Sequence, residues 1–217
     1  VQKVIGLRER NRRETWNALH EAAAALAFGE GPADVTVDAI VARAGVSKRT
    51  FFNYFATKDD AILGYREATL APEAIAAFVD GPGDLLERTV RLVVAAFRSS
   101  TLPEHVDGRR LALVRRHPEL RARMDAHAAT IEALVAPHIA AELGVDAAEV
   151  SIHPPAGARA GSRRTDGGKR AAALLMLAGT IVRFAYKTDL AAMAAGDDAA
   201  IDAAIAPFRD LLRSIDD

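Results

Sequence analysis

Lys48, Arg49, Thr50, Asn53 and Tyr54 put five hydrogen-bonding side chains into seven consecutive positions, with Phe51 and Phe55 set four apart among them. On a helix the two phenyl rings share one face and can anchor it to a small core, which turns the donors outward. A short helix that spends so much of its length on cations, amides and hydroxyls is poorly suited to a purely structural task. It suits an acceptor-rich surface, and the major groove of DNA is such a surface. No other constellation offers covalent or metal chemistry. There is no cysteine, no HExxH, no GxSxG and no Gly-rich phosphate loop. His127 and His138 share a helix face but lie about 16 Å apart along its axis, too far to hold one ion. His117, beside Pro118, reads as a core or cap histidine. No catalytic residue, metal ligand or cofactor is expected, and the chain is not read as an enzyme.

The elements needed to position the donor row are written just before it. Thr36 is a good N-cap, with Asp38 in the first turn where the helix dipole favours a negative charge. Ile40 and Val41 supply the apolar side. Ala44-Gly45 stops the helix where glycine can take the left-handed conformation. After one intervening residue, Ser47 caps the next helix. Helix, glycine turn and capped helix in this spacing form a helix-turn-helix signature.

The whole stretch, TVDAIVARAGVSKRTFFNYFATKD from Thr36 to Asp59, resembles the DNA-binding domain of TetR-family transcriptional regulators, over roughly Arg8 to Leu70. The resemblance implies that Ser47, Lys48, Arg49, Thr50, Asn53 and Tyr54 belong to the recognition helix. It also implies that Thr36 and Lys58 contact phosphates from the first turns of the flanking helices. The partner it implies is double-stranded DNA carrying a palindromic operator, bound by a homodimer.

Composition frames this reading without deciding it. Half of the 217 residues are hydrophobic, which excludes wholesale disorder. Alanine dominates that half and β-branched runs are few, so an all-α chain of about nine helices is expected. Lys plus Arg number 28 against 29 Asp plus Glu, so any basic surface is local. Arg8, Arg10, Arg12, Arg13, Lys48, Arg49 and Lys58 concentrate one in the first sixty residues. Arg12 and its neighbours could reach phosphates beside the groove; equally, with Glu9 and Glu14 interleaved, they could form a solvated face. The lack of cysteine fits a reducing cytoplasm. No signal peptide is read at the start, and the apolar run Ala171 to Val182 is shorter than the ~20 residues that cross a bilayer. A cytoplasmic protein without a membrane partner is expected.

In chain order, residues 1–7 read as a loose arm, and a helix from Arg8 to about Phe28 buries Trp16, Leu19, Ala23 and Leu26. A helix capped by Thr57 should run to Leu70, tied back by Ile62, Tyr65 and Leu70. It completes a head of residues 1–70 and connects it to the body. Gly81-Pro82-Gly83 is the clearest break, so the boundary is placed near 71–83. The larger helical domain then occupies 84–217. Its helices are expected near Leu86–Phe97, Arg109–Arg116, Pro118–Leu143 (bent late by Pro137), Lys169–Leu190 and from Asp198 onward. Residues 144–168, rich in Gly, Pro, Ser and Arg, read as a mobile loop.

The body carries two expectations. The helix from Lys169 is apolar nearly all round, and Ile201, Ile205, Phe208, Leu212 and Ile215 recur at alternating spacings of 4 and 3. With Leu174 and Ile181 these residues predict a dimer interface. The segment RLALVRRHPELRARM, Arg110 to Met124, resembles the C-terminal domain of regulators related to the mycofactocin regulator MftR, which implies an acyl-CoA-like effector. Phe97, Leu113, Met124, Ile131, Leu134, Met176 and Phe184 would line its pocket, although for any single one of them a core role is the default. Arg159, Arg163, Arg164, Lys169 and Arg170 could meet a CoA phosphate or form an exposed basic linker. Three functions follow: a ligand-responsive repressor, a dimeric DNA-binding protein without effector, and a helical small-molecule-binding protein.

Overall fold

The computed structural model describes residues 6–101, 108–152 and 164–216. Among them lie twelve helices and no strand: α1 (Leu7–Glu30), α2 (Val37–Ala44), α3 (Lys48–Phe52), α4 (Lys58–Leu63), α5 (Pro72–Asp80), α6 (Leu85–Ser100), α7 (Gly108–Arg116), α8 (Pro118–Leu143), α9 (Ala147–Val150), α10 (Asp166–Thr188), α11 (Leu190–Ala195) and α12 (Asp198–Asp216). The all-α class holds, with three more helices than expected, namely α5, α9 and α11. Two compact units divide the chain. One comprises Val1–Arg66 with Asp107–Asp125, the other Glu67–Val106 with Ala126–Asp217. The division therefore differs from a single cut near 71–83, because residues 107–125 cluster with the head.

The first unit is built on α1. Trp16, Leu19 and Ala23 are buried, as are Ile40, Phe51, Phe55, Ile62, Leu63 and Tyr65 from the elements around it. Trp16 stacks between His20 and Phe55, with ring centroids 5.3 Å from each. His20 Nδ1 lies 2.7 Å from the Ala61 carbonyl, which ties α1 to α4. Returning from later in the chain, Arg110 of α7 sits over the Tyr65 ring at 4.5 Å, a cation–π contact. Arg123 of α8 meets Asp60 of α4, with Nε and Nη2 at 2.6 and 2.5 Å from one carboxylate oxygen.

The helix expected to reach Leu70 ends at Leu63. Gly64 takes a left-handed φ of 65° and its N–H returns to the carbonyls of Asp60 and Ala61. A Cβ there would stand 3.1 Å from the His20 ring and 3.2 Å from Trp16, so glycine is favoured by its left-handed conformation and by tight packing. Leu70 packs against the core of the second unit rather than the head.

That second core gathers Phe78, Val90, Val93, Val135, Ile139, Leu175, Ile181, Ile201 and Ile205. At its centre is α10, which buries Ala171, Leu175, Ala178, Ile181, Val182 and Ala185. By length and composition alone α10 could cross a membrane. Its buried side makes it a core helix instead. Pro137 lies inside α8, which runs past it to Leu143. The stretch read as a mobile loop is ordered at both ends. Asp146 caps α9, Val150 is fully buried, and Thr165 caps an α10 that starts at Asp166. Glu149 accepts from the Thr165 N–H and hydroxyl at 2.7 and 2.6 Å, and Arg164 donates to the Ser151 carbonyl at 2.7 Å. Residues 153–163, with Arg159 and Arg163, lie outside the described residues, as do residues 1–5 of the arm and the side chain of Ile215.

The predicted dimer seam needs correction. Ile181, Ile201 and Ile205 are at most 2% exposed and belong to the chain's own core, so they have no surface to offer a second copy. Their periodicity reports packing inside the second unit. Leu174 and Phe208 are half-buried, the latter edge-on to Phe184 at 5.4 Å. Leu212, at 49% exposure, stays open, as do Leu211 and Met176.

Candidate nucleic-acid interface

Each turn of the helix-turn-helix is set by a local hydrogen bond. Thr36 Oγ1 accepts from the Ala39 N–H at 3.1 Å, which satisfies a donor left free at the start of α2. Gly45 ends α2 at φ 70°, with its N–H on the Val41 carbonyl. Ser47 Oγ accepts from the Thr50 N–H at 3.0 Å and shares a second bond with the Thr50 hydroxyl at 2.9 Å. α3 is five residues long, but the helical turn is carried on by Tyr54 and Phe55, whose N–H groups both reach the Phe51 carbonyl at 2.9 Å.

Phe51 and Phe55 are buried and their rings lie 5.8 Å apart, so the apolar edge of the helix is fixed to the head. Burying each ring stabilises that arrangement by roughly 1.5–3 kcal/mol. The opposite edge presents Lys48, Arg49 and Asn53 to solvent, with Thr50 and Tyr54 half-buried at its flanks. Ser47 and Thr36 are exposed at the two helix starts, although their hydroxyls already cap. Lys48 pairs with Asp38 at 2.7 Å; both side chains are more than half exposed, so water makes this a weak and exchangeable pair. Arg12 is exposed on α1, one turn before Trp16.

Lys58 departs from its expected role. Its ammonium donates to the carbonyls of Pro32, Ala33 and Val35 at 2.7, 3.1 and 2.9 Å. An ammonium has three donors and all three are used inside the head. Lys58 therefore fastens the α1–α2 connection to α4, and its charge is not held out toward a phosphate.

One residue of the outward edge was overlooked. Phe52 is 58% exposed, edge-on to Phe51 at 5.3 Å. The signal was in the sequence, because a buried Phe51/Phe55 stripe leaves Phe52 about 100° round the helix from Phe51, off the buried face.

The residues predicted to line a ligand pocket are divided between the two units. Leu113 and Met124 belong to the first, and Phe97, Ile131, Leu134, Met176 and Phe184 to the second. Ile131 is buried core and Met176 is 53% exposed. Phe97 packs edge-on to Tyr186 at 4.7 Å. His127, buried, lies 2.8 Å from the Ser100 hydroxyl, and His117 lies 3.4 Å from Glu119.

Three capped helices around an aromatic core, with a cationic and amide-bearing edge outward, define the first unit as a helix-turn-helix head. Residues 19–63 match the family model for bacterial regulatory proteins of the tetR family, so this head is similar to the N-terminal domain of those regulators. The chain is also 33% identical over 149 residues to the HTH-type transcriptional regulator TcmR of Streptomyces glaucescens, an alignment covering 65% of this chain. The chain spans 66% of that relative's length.

Proposed function

We propose that the protein is a DNA-binding transcriptional regulator acting as a homodimer on a palindromic operator. The observation that carries the reading is the split of the 47–55 segment, with Phe51 and Phe55 sealed inside while Lys48, Arg49, Phe52 and Asn53 face solvent. Arg49 is suited to guanine and Asn53 to adenine, and Tyr54, Thr50, Ser47 and Thr36 to phosphates or base edges at the flanks. Arg12 would add a phosphate contact from α1. Lys58 stays in the binding region only as a structural support.

A two-fold mate places a second α3 about one duplex turn, ~34 Å, from the first. Leu174, Phe208, Leu211, Leu212 and Met176 support pairing through α10 and α12, since they keep apolar surface open to solvent. The finer form of the reading is a cytoplasmic repressor released by a small apolar or acyl-CoA-like effector. The resemblance of Arg110–Met124 to acyl-CoA-responsive regulators supports it, with Phe97, Ile131, Leu134 and Phe184 as apolar lining. Release requires that the effector bind the DNA-incompetent state more tightly than the competent one.

A mobility-shift assay on the protein's own promoter tests the core claim. Arg49→Ala with Tyr54→Phe should abolish the shifted band without changing the melting temperature. Retention of full affinity would remove the recognition helix from the interface. Adding an acyl-CoA series to the bound complex tests the effector, and unchanged binding across the series would remove that part alone.

A further inference from the structure

Arg88, Arg91 and Arg98 fall three and seven residues apart on α6 and so share one stripe of the helix. They line a cavity of about 300 Å³ in the second unit, together with Ala74 and Phe78 of α5 and Ile201 of α12. That volume lies at the small end of ligand sites. Its walls mix alanine, leucine and phenylalanine with the three guanidiniums and the carboxylates of Glu87 and Asp198, an apolar floor under a rim that carries both charges.

The three guanidiniums are not equally engaged. Arg88 donates to the carbonyls of Phe78 and Val79 and to Glu142 at 3.0 Å. Arg91 pairs with Glu87 at 3.3 Å and with Asp202, while its Nη1 faces Asp198 at 3.9 Å. Arg98 is the least satisfied. Its Nη1 stands 3.7 Å from Asp198, its Nη2 3.5 Å from the Met193 carbonyl, and its buried Nε has no hydrogen-bond partner. Both Asp198 distances exceed hydrogen-bond length. Asp198 is itself 74% exposed at the first position of α12. Two guanidiniums thus converge on one loosely held, solvent-facing carboxylate.

We propose that this cleft is a binding site for a small amphipathic carboxylate. The ligand's carboxylate takes the place between Arg91 and Arg98 over which Asp198 now hovers, and its apolar body lies on Ala74, Phe78 and Ile201. Charge-assisted bonds to two guanidiniums are short and directional, and a neutral isostere cannot reproduce them. Asp198 then acts as an internal competitor: it holds the two arginines toward the cleft in the free protein and yields to the ligand.

The test uses the full chain without DNA, so its outcome is separate from that of operator binding. Benzoate and hexanoate are titrated by calorimetry at low ionic strength, with benzamide and hexanamide as neutral counterparts. At least one acid binds at millimolar concentration, and its amide binds about tenfold more weakly or not at all. Arg98→Gln weakens the acid by about tenfold, whereas Asp198→Asn tightens it severalfold. The opposed signs separate a ligand clamp from a structural ion-pair network, in which both substitutions would act alike. Equal binding of acid and amide, no binding by either acid, or weaker binding in Asp198→Asn would each overturn the proposal. Should Arg98→Gln fail to fold, Asp198→Asn and the amide comparison decide the matter alone.

Discussion

Replacing Arg123 by methionine tests whether residues 107–125 are part of the head. Asp60 is the group at stake: its side chain is 5% exposed, and one carboxylate oxygen takes both bonds from Arg123. The other oxygen accepts the Thr57 hydroxyl at 2.8 Å. Methionine keeps most of the packing volume but leaves a buried carboxylate with a single neutral donor. Stripping one partner from a fully buried pair costs about 3–5 kcal/mol. Arg123 is 30% exposed, so water partly screens the pair and the expected loss falls to roughly 2–3 kcal/mol. For a chain of this size that is a fall of about 5–10 °C in melting temperature. Trp16, the sole tryptophan, lies in the same unit, so its fluorescence during urea or thermal unfolding reads the head specifically. The double-mutant cycle with Asp60→Asn should return a coupling of about 1–2 kcal/mol, as for residues in one hydrogen-bonded network. An Arg123→Met protein within ~0.5 kcal/mol of the parent, the scatter of an ordinary surface change, would refute the reasoning.

Three further outcomes are expected. Lys58→Met should lower the Trp16-monitored stability by roughly 1–3 kcal/mol, because three carbonyls lose a charged donor; a phosphate contact alone would leave unfolding unchanged. Phe52→Ala should leave stability within ~0.5 kcal/mol but weaken operator binding, and uracil in place of one operator thymine should reproduce the loss if the ring contacts a thymine methyl. The two shifted carboxylates should act oppositely with pH. Burial lifts Asp59 above the ordinary range, so its charge costs stability at neutral pH and the cost disappears as pH falls through its raised pKa. Asp59→Asn is then neutral to stabilising at pH 7 and loses that advantage in acid. Burial would also raise Asp84, but the Glu87 N–H and the Arg209 guanidinium outweigh it and hold the pKa down. Its contribution is complete above the unfolded pKa and is lost as pH falls through the folded one, so Asp84→Asn should flatten the acid limb of the unfolding curve.

What was legible in the sequence was local. Caps, a glycine stop and four-residue aromatic spacing are written in neighbouring residues, and Thr36, Gly45, Ser47, Phe51 and Phe55 do in the structure what their types imply. What was not legible depends on partners far along the chain. Lys58 looks like a free cation until the α1–α2 connection folds over it, 23 to 26 residues away. Asp60 finds Arg123 across 63 positions, and nothing in either neighbourhood announces the pair. The Ile201–Ile205 seam shows why periodicity cannot name its partner: the same stripe suits a second copy or the chain's own α10, and here the core takes it. An isolated glycine is tolerated within a helical pattern, so Gly64 gave no stop signal, whereas here it takes a left-handed φ of 65° with the rings of Trp16 and His20 close against it.

The loss of that seam to the core bears on how such a protein would hold DNA. Under the proposed function, one exposed helical edge carrying Arg49 and Asn53 would make few base contacts, each worth about 1–3 kcal/mol of discrimination. Specific sites are held about 4–10 kcal/mol more tightly than random DNA, and the proposed dimer would bring two such edges to one duplex. Ile181, Ile201 and Ile205 are buried in the chain's own core, so the proposed pairing would rest on the exposed Met176, Leu211 and Leu212 and the half-buried Leu174 and Phe208. A smaller apolar surface makes a weaker dimer, and a weak dimer is one that a bound duplex can help to assemble. Leu211→Lys with Leu212→Lys should therefore reduce operator affinity as strongly as a substitution on α3, although both lie in the other unit. A protein carrying both lysines that still binds the operator at full affinity would mean that pairing runs through a different face.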